Sequence, residues 1–226
     1  MLTLIIPTRN AEGALRGSLP RLASESLIIS DSGSEDDSLG LALEAGASLC
    51  FGSAGRGPQL ARGAKLASLR GSDWFLFLHA DAKLSPNWRA EVDHHMKAYP
   101  ESVGYFRYGR QGDGFWPWLQ RVLVSLRCWA WKLPYGDQGL LISARAYVSV
   151  GGYSDLPLFE DVDIMNRLKA RIGRSNIRPL GAFVVTDTSA YEAQGWWKRG
   201  WRNFQLMRGF QRGESVSHLM QKYYND

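Results

Sequence analysis

Trp74-Phe75-Leu76-Phe77-Leu78-His79-Ala80-Asp81 is the stretch from which the rest of the chain is organised. Five consecutive apolar or aromatic residues, Trp74 to Leu78, are too few for a solvent-facing helix and spell a fully buried strand of a parallel sheet. The strand stops on His79 and Asp81, two side chains with metal-ligand chemistry separated by one small residue. In an open α/β sheet, ligands bind outside the carboxyl ends of the strands, which is where both are expected. Residues i and i+2 of an extended chain point to the same side, so the imidazole and the carboxylate converge on one cation or one sugar. The plainer alternative is that Asp81 caps the segment after it and His79 is a satisfied histidine at a strand end. A motif this short leaves both open.

The flanking sequence repeats the strand-then-polar-turn pattern. Leu2 to Ile6 reads as a first strand ended by Pro7, with a loop at Thr8-Arg9-Asn10 and helical spacing at Ala14, Leu15, Leu19 and Leu22. Leu27 to Ile29 is a second short strand, followed by the polar turn Ser30 to Ser38 and a helix through Ala45. Leu49 to Phe51 is a third, followed by Gly52-Ser53-Ala54-Gly55-Arg56-Gly57-Pro58 and a helix from Gln59 to about Leu69. Strands alternating with helices of this length predict βαβ units and a mostly parallel sheet with helices on both faces. Four strand ends then share one rim: Thr8/Arg9, Asp31, Gly52 to Arg56, and His79/Asp81. The glycine-rich segment reads either as a flexible loop or as a helix N-terminus suited to phosphate, with Arg56 adding a fork of donors. It is neither a P-loop nor a dinucleotide fingerprint.

Composition narrows the class. The 226 residues are 45% hydrophobic and 22% charged, enough for a substantial core and one domain, without low-complexity runs. No apolar run approaches a membrane span, and the N-terminus lacks the basic region of a signal peptide. Two cysteines without metal-type spacing, Cys50 and Cys128, argue against a disulfide scaffold or zinc site and for the reducing cytoplasm. Residues 1–105 carry 10 Lys/Arg against 12 Asp/Glu, whereas residues 106–226 carry 17 against 10. The second half is therefore basic, which suits an anionic partner and equally suits a merely solvated surface.

Five segments, in order, carry a family resemblance: Ile6-Pro7-Thr8-Arg9-Asn10-Ala11-Glu12, Asp31 to Ser38, Phe77-Leu78-His79-Ala80-Asp81, Tyr135-Gly136-Asp137-Gln138-Gly139, and Leu158-Phe159-Glu160-Asp161-Val162-Asp163. Together they resemble family 2 glycosyltransferases, and within them a bacterial subgroup with a His-Ala-Asp metal motif. The likeness runs from residue 2 to about residue 170. It implies the GT-A fold, one α/β domain over 1–226, with a nucleotide-binding half (1–105) and an acceptor-side half (106–226) ending in aromatic-basic helices. It further implies an inverting transfer from a nucleotide-diphospho-sugar donor to an acceptor hydroxyl, with Mg²⁺ or Mn²⁺ on the diphosphate. Pro7, Thr8, Arg9 and Glu12 match nucleotide-contacting positions, and Asp31 matches the contact to base or ribose. Asp81 matches the metal carboxylate, and Gly136, Asp137 and Gln138 match a region facing donor sugar or acceptor. Asp161 matches the general base, with Glu160 beside it.

Two departures stand out. His79 replaces the first Asp of the usual Asp-x-Asp, so it is either a metal ligand, which Mn²⁺ accepts more readily than Mg²⁺, or a ribose contact. Ala61-Arg62-Gly63 stands where the subgroup carries Asn-x-Gly, and Ala61 takes no role.

In the second half, Tyr105 to Tyr108 reads as a strand and Gly109 to Gly114 as a turn. Phe115 to Lys132 contains four tryptophans with Arg121, Arg127 and Lys132, a pattern of a helix on the core, of an acceptor groove, or of a membrane interface. Leu140 to Ser143 reads as a strand, and a helix is expected to begin at Asp163 with Glu160 and Asp161 at its entrance. The tail, Tyr191 to Asp226, is helical, aromatic and basic; nucleic acid is disfavoured for want of a binding module. The acceptor expected of this half is amphipathic or anionic, lipid-linked or at a membrane surface with peripheral contact. His94, His95 and His218 are expected on the surface. Two other functions fit a similar fold. One is a sugar-nucleotide pyrophosphorylase, for which the glycine-free loop Pro7 to Asn10 is a poor start. The other is a binding module for sugar nucleotides or membrane surfaces that has lost its chemistry, for which three acids at Glu160, Asp161 and Asp137 would be superfluous.

Overall fold

The computed structural model describes residues 1–22, 25–109, 114–186 and 195–225, the side chains at 196, 197 and 223–225 excepted. The turn expected at 109–114 and the start of the tail at 191–194 fall mainly outside these residues. The first strands and helices are β1 (Leu2–Thr8), α1 (Glu12–Ser18), β2 (Leu27–Asp31), α2 (Ser38–Glu44), β3 (Ser48–Phe51), α3 (Arg56–Leu69), β4 (Trp74–Phe77) and β5 (Lys83–Leu84). Next come α4 (Trp88–Ala98), β6 (Val103–Tyr108), α5 (Phe115–Trp131), β7 (Leu140–Ser143), α6 (Ala144–Ser149), α7 (Glu160–Ile172) and β8 (Ile177–Val185). Two further helices, α8 (Trp196–Gln211) and α9 (Val216–Asn225), complete the order.

The strands lie in one sheet, in the order β3-β2-β1-β4-β7-β6-β8-β5. Its first four are parallel, as the alternating pattern predicts. At β7 the direction reverses: β7 runs antiparallel to β4, with Phe77 opposite Leu140. That reversal brings the segment before β7 to the rim where β4 ends, so Tyr135 to Gly139 arrive beside His79 and Asp81. β6 is antiparallel to β7 and parallel to β8, making the sheet mixed beyond β4.

Period-two alternation loads both faces. Leu4, Ile6, Leu76 and Leu78 pack with Leu15 of α1, Ala42 of α2 and Trp88 and Val92 of α4. Ile5, Phe75 and Phe77 pack on the other face with Leu60 and Ala64 of α3, Tyr147 of α6 and Ile164 of α7. Phe75 is wholly buried, and burial of such a side chain contributes about 1.5–3 kcal/mol. α7 begins at Glu160 rather than at Asp163, with three acids in its first turn and Lys169 and Arg171 in its last, both matched to the helix dipole.

One residue departs from the sequence expectation. His95 is buried, not on the surface: it shares the sheet-facing side of α4 with Val92, stands edge-on to Trp74, and its Nε2 lies 3.3 Å from the Ser102 carbonyl oxygen. Burial pushes its pKa down. α5 buries only Cys128 among its 17 residues, leaving Trp118, Trp129 and Trp131 largely exposed. Among the described residues, no helix is long and apolar enough to cross a membrane.

Candidate active site

The rim at the ends of β1, β2 and β4 opens into a cleft of about 670 Å³, walled by Pro7, Thr8 and Arg9 on one side and by Gly55, Arg56, His79 and Asp81 on the other. Its floor is held by Asp31. That carboxylate accepts hydrogen bonds from Thr8 Oγ1 and from the backbone N–H groups of Gly33 and Ser34, each at 2.8 Å, and from Ser34 Oγ. Burial would raise the pKa of Asp31, but bonds from Ser34, Thr8 and Gly33 outweigh it and hold the carboxylate ionised. Asp31 itself is fully buried and does not line the cleft; with both oxygens engaged, it shapes the loop that does. Glu12 is likewise turned aside, paired with Arg16 one helical turn on. Gln59 was not singled out from the sequence, yet its Nε2 donates to the carbonyls of Thr8 (2.8 Å) and Ser30 (2.9 Å), tying β1 to β2 at the cleft. A polar residue in the first turn of α3, aimed at strand ends, was the available signal.

His79 Nδ1 stands 3.9 Å from Asp81 Oδ1. Burial, then the charge of Arg56, pushes the His79 pKa well below its usual value, so the ring is neutral and keeps a lone pair. An imidazole nitrogen and a carboxylate oxygen at this spacing fit two ligands of one divalent cation, and the nitrogen favours Mn²⁺ over Mg²⁺. Among the described residues there is no cluster of three or more His, Cys, Asp or Glu that could hold a metal unaided. A cation here would need oxygens from a bound phosphate, the ordinary arrangement for ions carried on nucleotides.

A second cleft, of about 570 Å³, lies on the far side of the same two residues. Arg56 and His79 line both clefts, whereas Asp161, Gly136 and Asp137 line only the second. Asp161 Oδ2 accepts the Gly136 N–H at 2.7 Å, and its Oδ1 accepts the Val162 N–H at 2.7 Å, so its carboxylate is fixed at the entrance of α7. Phe159, two positions before Asp161, is left-handed (φ 64°), a conformation costly for a bulky side chain, and its ring stacks on Phe210 of α8 at 4.7 Å. Neither feature is visible in the sequence.

Glu160, expected beside Asp161 as a catalytic acid, is 1% exposed and lines neither cleft. Its Oε1 lies 3.1 Å from Arg56 Nε. Burial pushes its pKa up to about 7, with Arg56 opposing and Asp161 adding to the rise. Asp137 has a buried Oδ1 without a hydrogen-bond partner, and burial raises its pKa as well. Gln138 is turned inward: its Oε1 accepts from Arg127 Nη2 at 2.8 Å and its Nε2 donates to the Phe106 carbonyl at 3.2 Å. It is buried and braces the turn from within. The glycine loop is explained by contact: a Cβ on Gly57 would sit 2.3 Å from the Ser154 carbonyl oxygen, so α3 can approach that segment only with glycine there.

Known proteins share the fold that carries these clefts. The family model described as "Glycosyl transferase family 2" matches residues 3–153. Among solved structures, glucosyl-3-phosphoglycerate synthase from Mycobacterium tuberculosis, in complex with Mn²⁺, UDP and glucosyl-3-phosphoglycerate, superposes with a TM-score of 0.62 at 16% identity, over 82% of this chain and 70% of that one. Residues 1–349 of TarS from S. aureus superpose with a TM-score of 0.57 at 13% identity, over 83% of this chain and 58% of that one. The same TarS fragment with UDP-GlcNAc gives 0.57 at 14% identity, over 83% of this chain and 56% of that one. The chain thus spans little more than half of the TarS fragment, and the likeness is one of fold: a central α/β sheet with helices on it. Among curated proteins, none matches the sequence.

Proposed function

The chain belongs to glycosyl transferase family 2, and from that premise we propose that it is an inverting enzyme moving a sugar from a nucleotide-diphospho-sugar to an acceptor hydroxyl. One observation carries this: two clefts share the wall made by Arg56 and His79, with Asp81 on one side and Asp161 on the other. A donor in the first cleft would direct its sugar past that wall towards Asp161. Asp161 then takes the proton of the acceptor hydroxyl as its oxygen bonds to the anomeric carbon. The bond from that carbon to the diphosphate breaks on the opposite face, and the nucleoside diphosphate leaves. Arg56 meets the charge gathering on the leaving group, with Glu160 holding its Nε side. Asp81 and His79 would hold Mn²⁺ or Mg²⁺, which when bound offsets diphosphate charge.

In this reading residues 1–105 serve the donor and residues 106–226 the acceptor, within one catalytic domain. The neighbours' UDP, UDP-GlcNAc and Mn²⁺ support UDP-sugars with Mn²⁺ as the first donors to try. The cytoplasm suits two free thiols, Cys50 and Cys128, and the basic half suits peripheral contact with a membrane.

The test pairs two variants. Asp161→Asn keeps an oxygen for the Gly136 N–H, so UDP binding by calorimetry should stay near wild type while sugar transfer, or donor hydrolysis without acceptor, falls about 10²–10⁴-fold. Asp81→Ala should instead weaken the Mn²⁺-dependent part of UDP binding. Undiminished turnover by Asp161→Asn would remove it as the base.

A further inference from the structure

The acceptor-side cleft changes character along its length. At its inner end stand Arg56, Asp137 and Asp161; towards solvent its walls are Trp116 and Leu123 of α5 and Trp201 and Phe204 of α8. Those four are 44–59% exposed. Past the lip, α5 continues with Leu126, Trp129 and Trp131 exposed to 50%, 75% and 61%. Exposed apolar side chains this numerous, clustered on one helix at the mouth of a cleft, mark an interaction site.

Charge says what kind. α5 carries the exposed Arg121, its Arg127 being turned inward onto Gln138 and Tyr135. α8 carries Lys198, Arg199, Arg202 and Arg208, and neither helix contains an Asp or Glu. Cations and tryptophans without a single acid complement an anionic, half-apolar surface: indole rings settle where one end is apolar and the other wet, and Lys or Arg meets lipid phosphates. Neither helix is a membrane span, so the contact is one of lying on, not crossing.

We propose that the α5–α8 face docks on an anionic lipid bilayer, and that the acceptor is a hydroxyl-bearing lipid of that bilayer whose apolar chain lies between the two helices. Its hydroxyl oxygen forms the bond to the anomeric carbon, the proton passing to Asp161 as the nucleoside diphosphate leaves. The acceptor half rests on the glycosyl-transfer reading; the docking half stands on exposure and charge alone.

The full chain is mixed with phosphatidylcholine vesicles, with and without phosphatidylglycerol, some lipids carrying brominated acyl chains. Sedimentation and tryptophan quenching are read, and the thermal shift with UDP and Mn²⁺ is followed separately. Binding to anionic vesicles, weakened by salt and accompanied by acyl-chain quenching, is the expected result. Lys198→Gln with Arg121→Gln should lower partitioning roughly tenfold or more. Trp129→Ser should lower the quenching, which Trp116, Trp131 and Trp201 share with it, while leaving the UDP shift intact. A chain that stays in the supernatant yet keeps its UDP shift overturns the docking and leaves the transfer reading standing. Vesicle binding without any UDP shift supports the docking and overturns the acceptor half. Binding without quenching, a thermal shift given only by a soluble short-chain glycoside below its micelle concentration, or a dimer in light scattering dissolved by Trp129→Ser would each overturn the proposal.

Discussion

At the scale of single residues, the two acids opening α7 are adjacent in sequence and opposite in circumstance. Asp161 faces a cleft with both oxygens held by backbone N–H groups. Glu160 faces inward against Arg56, 1% exposed, and its pKa is pushed up to about 7 by burial. The folded chain thus retains a proton on Glu160 that the unfolded chain releases above the ordinary value of 4.5. The stability this group contributes is full below that pH and is lost as the pH rises through about 7. Glu160→Gln keeps the shape and removes the titration. The lowered pKa values of His79 and His95 tilt stability the other way over part of this range. The quantity to follow by calorimetry is therefore the wild-type melting temperature minus the variant's, which should fall from pH 4.5 to 7. A constant difference would mean that Glu160 titrates no differently in the folded and unfolded chains.

At the scale of elements, α7 is aimed by α8. Phe159 holds a left-handed backbone that costs about 1–3 kcal/mol, and its stack on Phe210 contributes about 0.5–1.5 kcal/mol in return. Phe210→Ala should therefore lower the melting temperature slightly and lower kcat with little change in the KM for donor, and Phe210→Tyr should restore both. Unaltered kcat in Phe210→Ala would detach α8 from the chemistry. This coupling lay beyond sequence reading, because it joins residues 51 positions apart through one backbone angle. The first four strands, by contrast, were legible, since runs such as Leu2 to Ile6 and Trp74 to Leu78 are buried on both faces and need no partner to be recognised. β8 was not read, because its glycine and proline break the apolar run. Asp81, His79 and Asp161 were singled out by their chemistry at strand or helix ends, and the folded chain brings them to the two clefts. That Gln138 and Glu160 point inward was not legible, because a polar side chain beside a cleft residue looks alike in sequence whether it points outward or inward.

At the scale of the whole molecule, Arg56 and His79, shared by the two clefts, converge with Asp161 on Gly136, and the convergence depends on the sheet reversing direction at β7. A Cβ there would lie 2.8 Å from Arg56 Nη2, 3.1 Å from His79 Nε2 and 3.5 Å from Asp161 Oδ2. One methyl group would thus press on the residues shared by both clefts and on the proposed base together. The tightest contact is with the mobile end of an arginine, which can yield, so the fold should tolerate the change while the geometry of transfer does not. Gly136→Ala is expected to keep its melting temperature near wild type and to lose transfer on the order of 100-fold, the cost of displacing reacting groups by about 1 Å. Gly57→Ala is the control with the opposite signature. Its Cβ would meet the carbonyl oxygens of Ser154 and Leu156 at 2.3 and 2.5 Å, backbone atoms that cannot swing away, so the variant should melt earlier. Scanning fluorimetry and a transfer assay on both proteins separate the cases. If Gly136→Ala loses stability in step with activity, the junction is a packing site, and the path from one cleft to the other runs elsewhere.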